Sequence, residues 1–92
     1  MNKYFETIAN KVEKMARENG KCMMAYLGEN DDSRFQMVAL YSPQYGRYKT
    51  FVLKSDMSDE ALKVVYSNIV GRMCALREEW KIMKRIERSR LS

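Results

Sequence analysis

Histidine is absent from the sequence, which removes the side chain that most often acts as a general base or a metal ligand. The four glycines lie far apart, at positions 20, 28, 46 and 71, so there is no glycine-rich loop to cradle a phosphate. Two cysteines without a histidine cannot build a closed four-ligand zinc site. These absences predict a protein that is not an enzyme and that has no metal site and no cofactor.

Long hydrophobic runs are missing as well. No apolar stretch approaches the roughly 20 residues that a membrane-spanning helix needs, and the start of the chain lacks the apolar core of a signal peptide. Cys22 and Cys74 form no Cys-x-x-Cys pair, and we interpret both as small buried hydrophobic residues in a reducing compartment. A disulfide or a reactive thiol is the less favoured alternative. The sequence therefore predicts a cytoplasmic protein without membrane contact.

The chain is long enough for one small domain, residues 1–92, and its content of 46% hydrophobic and 32% charged residues is typical of a folded protein. Seventeen basic residues against twelve acidic ones give a net charge of +5. This charge permits attraction to nucleic acid or to an acidic protein surface, but requires neither.

The periodicity of apolar residues predicts the order of helices and strands. Residues 3–19 repeat apolar side chains at helical spacing, with Asn2 as a candidate cap and Gly20 as a stop. Three segments rich in aromatic and β-branched residues follow, separated by turn residues: 21–28, 34–42 and 47–55. A second helix is predicted at about 58–89. The predicted fold class is α+β, order α-β-β-β-α, a three-stranded antiparallel meander packed against helices, with a long C-terminal helix that extends beyond the sheet.

Alternation along the strands predicts two different faces of this sheet. We expect Phe51 and Leu53 to lie in the core with Val38, Leu40 and the apolar stripe of the first helix. The opposite face of the middle strand receives Phe35, Met37, Ala39 and Tyr41. Because two helices cover only one face, the other face either keeps exposed Tyr and Met side chains or forms a shallow second core under the end of the long helix.

The last helix has apolar residues at alternating spacings of four and three, which is the pattern of a heptad seam. They are Leu62, Tyr66, Ile69, Met73, Leu76, Trp80 and Met83. A helix of about 48 Å outruns a strand of about 26 Å, so the overhang must bend back at Gly71, meet a foreign partner or pair with a second copy. We favour a homodimer whose interface contains Leu76, Trp80 and Met83.

Two further groups of residues are candidates for binding. The tip of the second hairpin carries a candidate partner-binding set of Tyr41, Tyr45, Arg47, Tyr48 and Lys49. Tyrosine and arginine suit both protein interfaces and nucleic acid, and a solvated turn is the plain alternative. The C-terminal helix carries candidate nucleic-acid contacts at Arg77, Lys81, Lys84, Arg85 and Arg88. A solvated face that complements the negative helix end is the alternative there.

In topology, the predicted order resembles the double-stranded-RNA-binding domain. That family carries lysines at the start of its last helix, where this chain reads "SDEALK", so RNA binding of that kind is not implied. In size and style, the chain is similar to small phage-encoded inhibitors such as anti-CRISPR proteins. We therefore predict a non-enzymatic inhibitor or regulator of a nucleic-acid-handling complex that binds a protein partner, and only weakly nucleic acid. Direct DNA or RNA binding through the basic helix and the hairpin tip is the alternative.

Overall fold

Two helices and three strands follow one another in the predicted order. The computed structural model describes residues 3–91, with the side chains of residues 3–89. The elements are α1 (Lys3–Glu18), β1 (Met23–Glu29), β2 (Arg34–Ser42), β3 (Arg47–Lys54) and α2 (Asp59–Leu91). The strands form one antiparallel sheet in the order β1-β2-β3. This confirms the α-β-β-β-α prediction; the proposed cap at Asn2 lies outside the described residues.

Local hydrogen bonds explain where the elements begin and end. In the β1–β2 turn, the Asn30 side-chain oxygen accepts a hydrogen bond from the Ser33 amide at 3.0 Å. In the β2–β3 turn, Gly46 adopts a φ of +63°, which a residue with a side chain rarely takes. At the start of α2, the Ser58 hydroxyl accepts a hydrogen bond from the Ala61 amide at 3.1 Å, as an N-cap does.

The core lies between the two helices and one side of the sheet, which we call the inner face. Its buried residues from the strands are Met23, Val38, Leu40 and Leu53, those from α1 are Phe5, Ile8, Ala9 and Val12, and those from α2 are Leu62, Ile69, Met73 and Leu76. Phe51 packs against this cluster and is half-buried. The prediction for Phe51, Leu53, Val38 and Leu40 is therefore confirmed. One polar side chain, Gln36, is fully buried among them.

Helix α2 runs without interruption through Gly71, so it does not fold back there. The molecule measures 55 Å in its longest dimension, which is close to the length of about 50 Å expected for a straight helix of this size. Four seam residues of α2, ending at Leu76, are buried against the sheet and α1. Spacings of three and four therefore describe the face that packs on this chain's own sheet. No helix in the described range is both long and apolar enough to cross a membrane.

Candidate binding surfaces

Within residues 3–91, no helix or further strand covers the sheet side opposite the helices, which we call the outer face. Its described side chains are Met24, Tyr26, Phe35, Met37, Ala39, Tyr41, Tyr48, Thr50, Val52 and Lys54. The exposed fractions are 63% for Met24, 65% for Tyr26, 46% for Met37 and 62% for Tyr48. The end of α2 does not cover this face, so the alternative of a second core does not hold. Of the two arrangements expected from the sequence, the structure shows the one in which the Tyr and Met side chains of this face stay exposed.

One pair of aromatic rings lies at each end of the outer face. At one end, the Tyr26 and Phe35 rings lie 6.4 Å apart, and at the other the Tyr41 and Tyr48 rings lie 4.9 Å apart. Phe35 lies directly over Gly28, where an added Cβ would come within 2.5 Å of the ring. Glycine at this position therefore lets the ring approach the backbone of β1 closely.

Methionine fills the middle of the outer face. Met37 is paired with Tyr26 on one side and with Val52 on the other. A shallow depression of about 560 Å³ follows this row and is lined chiefly by apolar side chains. The outer face carries a single charge, at Lys54 at the end of β3. It is thus a nearly neutral aromatic and thioether surface, of the kind that adapts its shape to a partner.

Most of the predicted hairpin-tip residues lie around one cavity. Tyr45, Arg47, Tyr48 and Lys49 line this cavity of about 330 Å³ together with Arg72 of α2, and the Tyr41 ring on the outer face lies 4.9 Å from the Tyr48 ring. Tyr45 is 64% exposed at the tip and has the Arg47 guanidinium 5.3 Å from its ring centre. The structure therefore brings the five predicted partner-binding residues together at the hairpin tip, where Tyr48 connects the cavity with the outer face.

We call Arg47, Lys49 and Arg72 the basic groove. A second, open depression continues it along α2, sharing Lys49 and Arg72 and adding Ser67 and Asn68. The carboxylate nearest to the groove is that of Glu79, which accepts a hydrogen bond from the Ser42 hydroxyl at 2.7 Å. Because three cations and one carboxylate line this cavity, it carries an excess of positive charge.

The basic residues of the C-terminal helix lie on the other flank of α2. Arg77, Lys81 and Lys84 line a separate cavity of about 560 Å³ with residues 18–22. The Lys81 ammonium pairs with Glu78 at 3.2 Å, while Arg85 and Arg88 are exposed on the projecting part of the helix. The structure therefore does not join these residues with the hairpin tip into one nucleic-acid surface, because the helix body separates them.

The predicted dimer interface needs a correction at Leu76. Its side chain is 2% exposed and belongs to the chain's own core, so it is not available to a second copy. Trp80 is half-buried against that core, with the Lys21 ammonium 5.8 Å from its ring centre. Met83 is half-buried, while Ile82 and Ile86 are exposed. A heptad seam was the wrong interpretation at Leu76, because the seam already faces the sheet there.

The two cysteines differ in environment. Cys22 is buried and Cys74 is exposed, so the expectation of two buried cysteines is wrong for Cys74, which lies on the side of α2 away from the core. Burial raises the pKa of the Cys22 thiol; the Trp80 indole N–H and the Arg77 guanidinium act in the opposite direction, and Glu79 adds to the rise. The Cys22 thiol therefore keeps its proton at neutral pH and is a poor nucleophile.

Charge is segregated along the long axis. The β1–β2 turn lies beside the β3–α2 turn, where the Ser55 amide donates to the Arg34 carbonyl at 2.9 Å. Six carboxylates gather at this end: Glu29, Asp31, Asp32, Asp56, Asp59 and Glu60. The opposite end holds the basic groove and the basic part of α2. The molecule thus has an acidic end and a basic end.

No family model, curated protein or solved structure matches the chain. Its function must therefore be argued from its own surfaces. Across the part of the chain that the structure describes, no three Cys, Asp or Glu side chains are placed to hold a metal ion.

Sequence reasoning missed three residues that contribute to these surfaces. Arg72 joins the basic groove only because α2 returns antiparallel to β3, and no local pattern marks it. Met24 and Tyr26 join the outer face through the β1–β2 register. The alternation of β1 could have indicated their shared face, but not which face the helices leave open.

Proposed function

We propose that this protein is a non-enzymatic binding protein that docks its outer face onto a protein partner. More specifically, we propose that the protein is an inhibitor or regulator of a nucleic-acid-handling complex, of the type that phages and mobile elements encode. The supporting observation is the contiguous, uncovered apolar face around Met37. A small domain gains little stability from exposed Tyr and Met side chains, whereas an interface uses them as anchors.

The chemistry of the outer face defines the partner surface. With one charge, at Lys54, the face suits an apolar surface of low charge on the partner, since burying unpaired charges would oppose binding. Tyrosine and methionine supply large contact areas, and methionine adapts to irregular shapes. The basic end offers a second contact, to phosphates of nucleic acid that such a partner holds.

A matched pair of substitutions tests this proposal. Met37→Lys places a charge at the centre of the outer face, and Val64→Lys places the same charge at an exposed apolar position of α2 that is outside this face. Tagged variants are used for capture from nuclease-treated host lysate, after circular dichroism shows that both are folded. We expect a protein that wild type and Val64→Lys retain and that Met37→Lys loses. Equal retention by all three, or loss by both variants, contradicts docking through this face.

Direct binding of single-stranded nucleic acid is the second candidate, and the basic groove favours it. Three cations beside the exposed Tyr45 ring combine phosphate contacts with a surface for base stacking. The sequence predicts at most weak binding that falls with salt. Fluorescence anisotropy should show Arg72→Glu weakening it more than Lys84→Glu on the opposite flank. The reverse order would assign the contact to the C-terminal helix, and sub-micromolar affinity at physiological salt would place this candidate first.

A further inference from the structure

Strand β1 is an edge of the sheet, and half of its backbone groups point away from the protein's own ladder. The Tyr41 amide donates to the Cys22 carbonyl at 2.8 Å, so even-numbered residues of β1 bond to β2 and odd-numbered ones face outward. The outward amide of Met23 is already used, donating to the Asn19 carbonyl at 2.9 Å. Among the described residues, no acceptor meets the outward amides of Ala25 and Leu27.

The two edges of the sheet differ in protection. Edge strand β3 carries Arg47, Lys49 and Lys54, and lysine on an edge opposes pairing with another chain. Strand β1 reads "MMAYLGE", with no proline and no charge before its last residue. An edge of this composition is a ready template for a further strand.

We propose that two copies of this chain pair through β1, antiparallel about a two-fold axis at Ala25, to form one six-stranded sheet. Pairing at this position sets Ala25 opposite Ala25 of the second copy, and Met23 opposite its Leu27. The outward amides of Ala25 and Leu27 then donate to the carbonyls of Ala25 and Met23 across the axis, in both directions. The outward amides of Ala25 and Leu27 thus find acceptors, while the outward Leu27 carbonyl stays open to water because the opposing Met23 amide is bonded to Asn19.

Charge and side-chain size select this register over its neighbours. Lys21 and Glu29 lie equally far from Ala25 in sequence, so each lysine comes to the end of the strand where the other copy has its glutamate. A shift by one residue would move all side chains of one copy to the opposite face. A shift by two that moves the axis to Met24 would shorten the ladder. A shift by two that moves it to Tyr26 would pair all of Met23–Glu29, but it would separate Lys21 from Glu29 and set the two Tyr26 rings directly opposite each other. On the outer face, Met24 meets Tyr26 of the second copy, and the two outer faces become continuous.

This pairing is different from the helix-seam dimer, and it goes beyond the proposed function because it specifies the assembly. A β1 dimer leaves Met83 and Ile86 unburied, whereas a helix dimer leaves the β1 edge open. Light scattering at micromolar concentration should give twice the chain mass for wild type and for Met83→Glu. A monomeric wild type, or a dimer that Met83→Glu alone dissociates, would overturn the proposal.

A crosslink tests the position of the axis. Directly opposed, hydrogen-bonded residues of an antiparallel pair have Cα atoms about 5.5 Å apart, which a disulfide can span. In a Cys22→Ser, Cys74→Ser background, Ala25→Cys should therefore form a covalent dimer on mild oxidation. The control Val52→Cys, on strand β3, should stay monomeric under denaturing electrophoresis. Equal crosslinking at both positions would show that the disulfides form by random collision of molecules rather than through paired β1 strands, and would contradict the register.

Charge exchange tests the pairing without relying on any single destabilising change. Lys21→Glu and Glu29→Lys each bring like charges together and should weaken dimerisation severalfold. The double variant Lys21→Glu, Glu29→Lys restores opposite charges and should recover most of the wild-type dimer affinity, as measured by sedimentation. Failure of the double variant to exceed either single variant, with all three folded, would refute the Lys21–Glu29 register. Recovery together with the Ala25 crosslink would identify the occupant of the edge as a second copy rather than a foreign strand.

Discussion

The inner and outer faces of the sheet are built from the same three strands and have opposite consequences. On β2, Val38 is fully buried while its neighbour Met37 is 46% exposed, although both are apolar. The inner face meets two helices and forms the core, so its side chains stabilise the fold. No described element covers the outer face, so its aromatic and thioether side chains are not explained by stability. Residues that stabilise this protein and residues that can bind a partner thus alternate along each strand.

Truncating neighbouring residues on β3 should give the largest difference between the faces. Leu53 is fully buried, and Leu53→Ala should lower the free energy of unfolding by about 2–5 kcal/mol through lost burial and a cavity. Val52→Ala, one residue earlier on the outer face, should change it by about 0.5 kcal/mol or less. Urea unfolding followed by circular dichroism measures both. Similar losses for the two variants would mean that the outer face is also covered.

Two glycines give the next contrast. Gly28→Ala places a Cβ within 2.5 Å of the far end of the Phe35 ring, so the ring must shift on this uncovered face, at a cost of about 0.5–1.5 kcal/mol if it leaves its rotamer. Gly71→Ala meets no atom within 4 Å and lies inside α2, so it should stabilise by about 0.5–1 kcal/mol. The melting temperatures of the two variants should change in opposite directions, a decrease for Gly28→Ala and an increase for Gly71→Ala. A neutral Gly28→Ala would show that Phe35 is free to move and that the outer face is not ordered.

The buried Gln36 tests how apolar the inner face needs to be. Its amide nitrogen donates to the Ala9 carbonyl at 3.1 Å, while its side-chain oxygen is buried without a partner. Gln36→Met keeps the volume and removes the unpaired oxygen, so we expect a change between zero and about 1 kcal/mol of added stability. Gln36→Glu, a charged control of the same shape, should destabilise strongly. A clear loss in Gln36→Met would mean that the bond to Ala9 matters more than the orphaned oxygen.

Thiol labelling gives a contrast without any change of stability. Under native conditions at neutral pH, iodoacetamide should modify the exposed Cys74 and spare Cys22, as mass spectrometry of the intact chain would show. The pKa of the Cys22 thiol is raised in the folded state, so the neutral thiol contributes its full stabilisation at neutral pH. This stabilisation declines in alkaline solution, once the pH is high enough to ionise the same thiol in the unfolded chain. Labelling of both thiols at equal rates would indicate that the turn before β1 opens readily.

The sequence predicted the elements and both faces of β2 because these depend on local periodicity. It did not predict that Gln36 is buried, since a lone polar residue in an alternating strand does not reveal its tertiary contact to Ala9. Nor did it predict the basic groove, because Arg72 and Arg47 meet only through the return of α2 along β3. The error at Leu76 has the same origin: spacings of three and four are equally those of a helix packed on a sheet.

The separation of charge along the 55 Å axis has a kinetic consequence. A particle with carboxylates at one end and cations at the other experiences a torque in the field of a polyanion, as well as an attraction. Near a polyanion, the protein would therefore turn its basic end, which contains the hairpin tip and the end of α2, toward the negative charge. A larger fraction of encounters would then have the basic end in contact. Such steering raises the association rate at low ionic strength and weakens as salt shortens the Debye length, which falls from about 30 Å at 0.01 M to about 10 Å at 0.1 M.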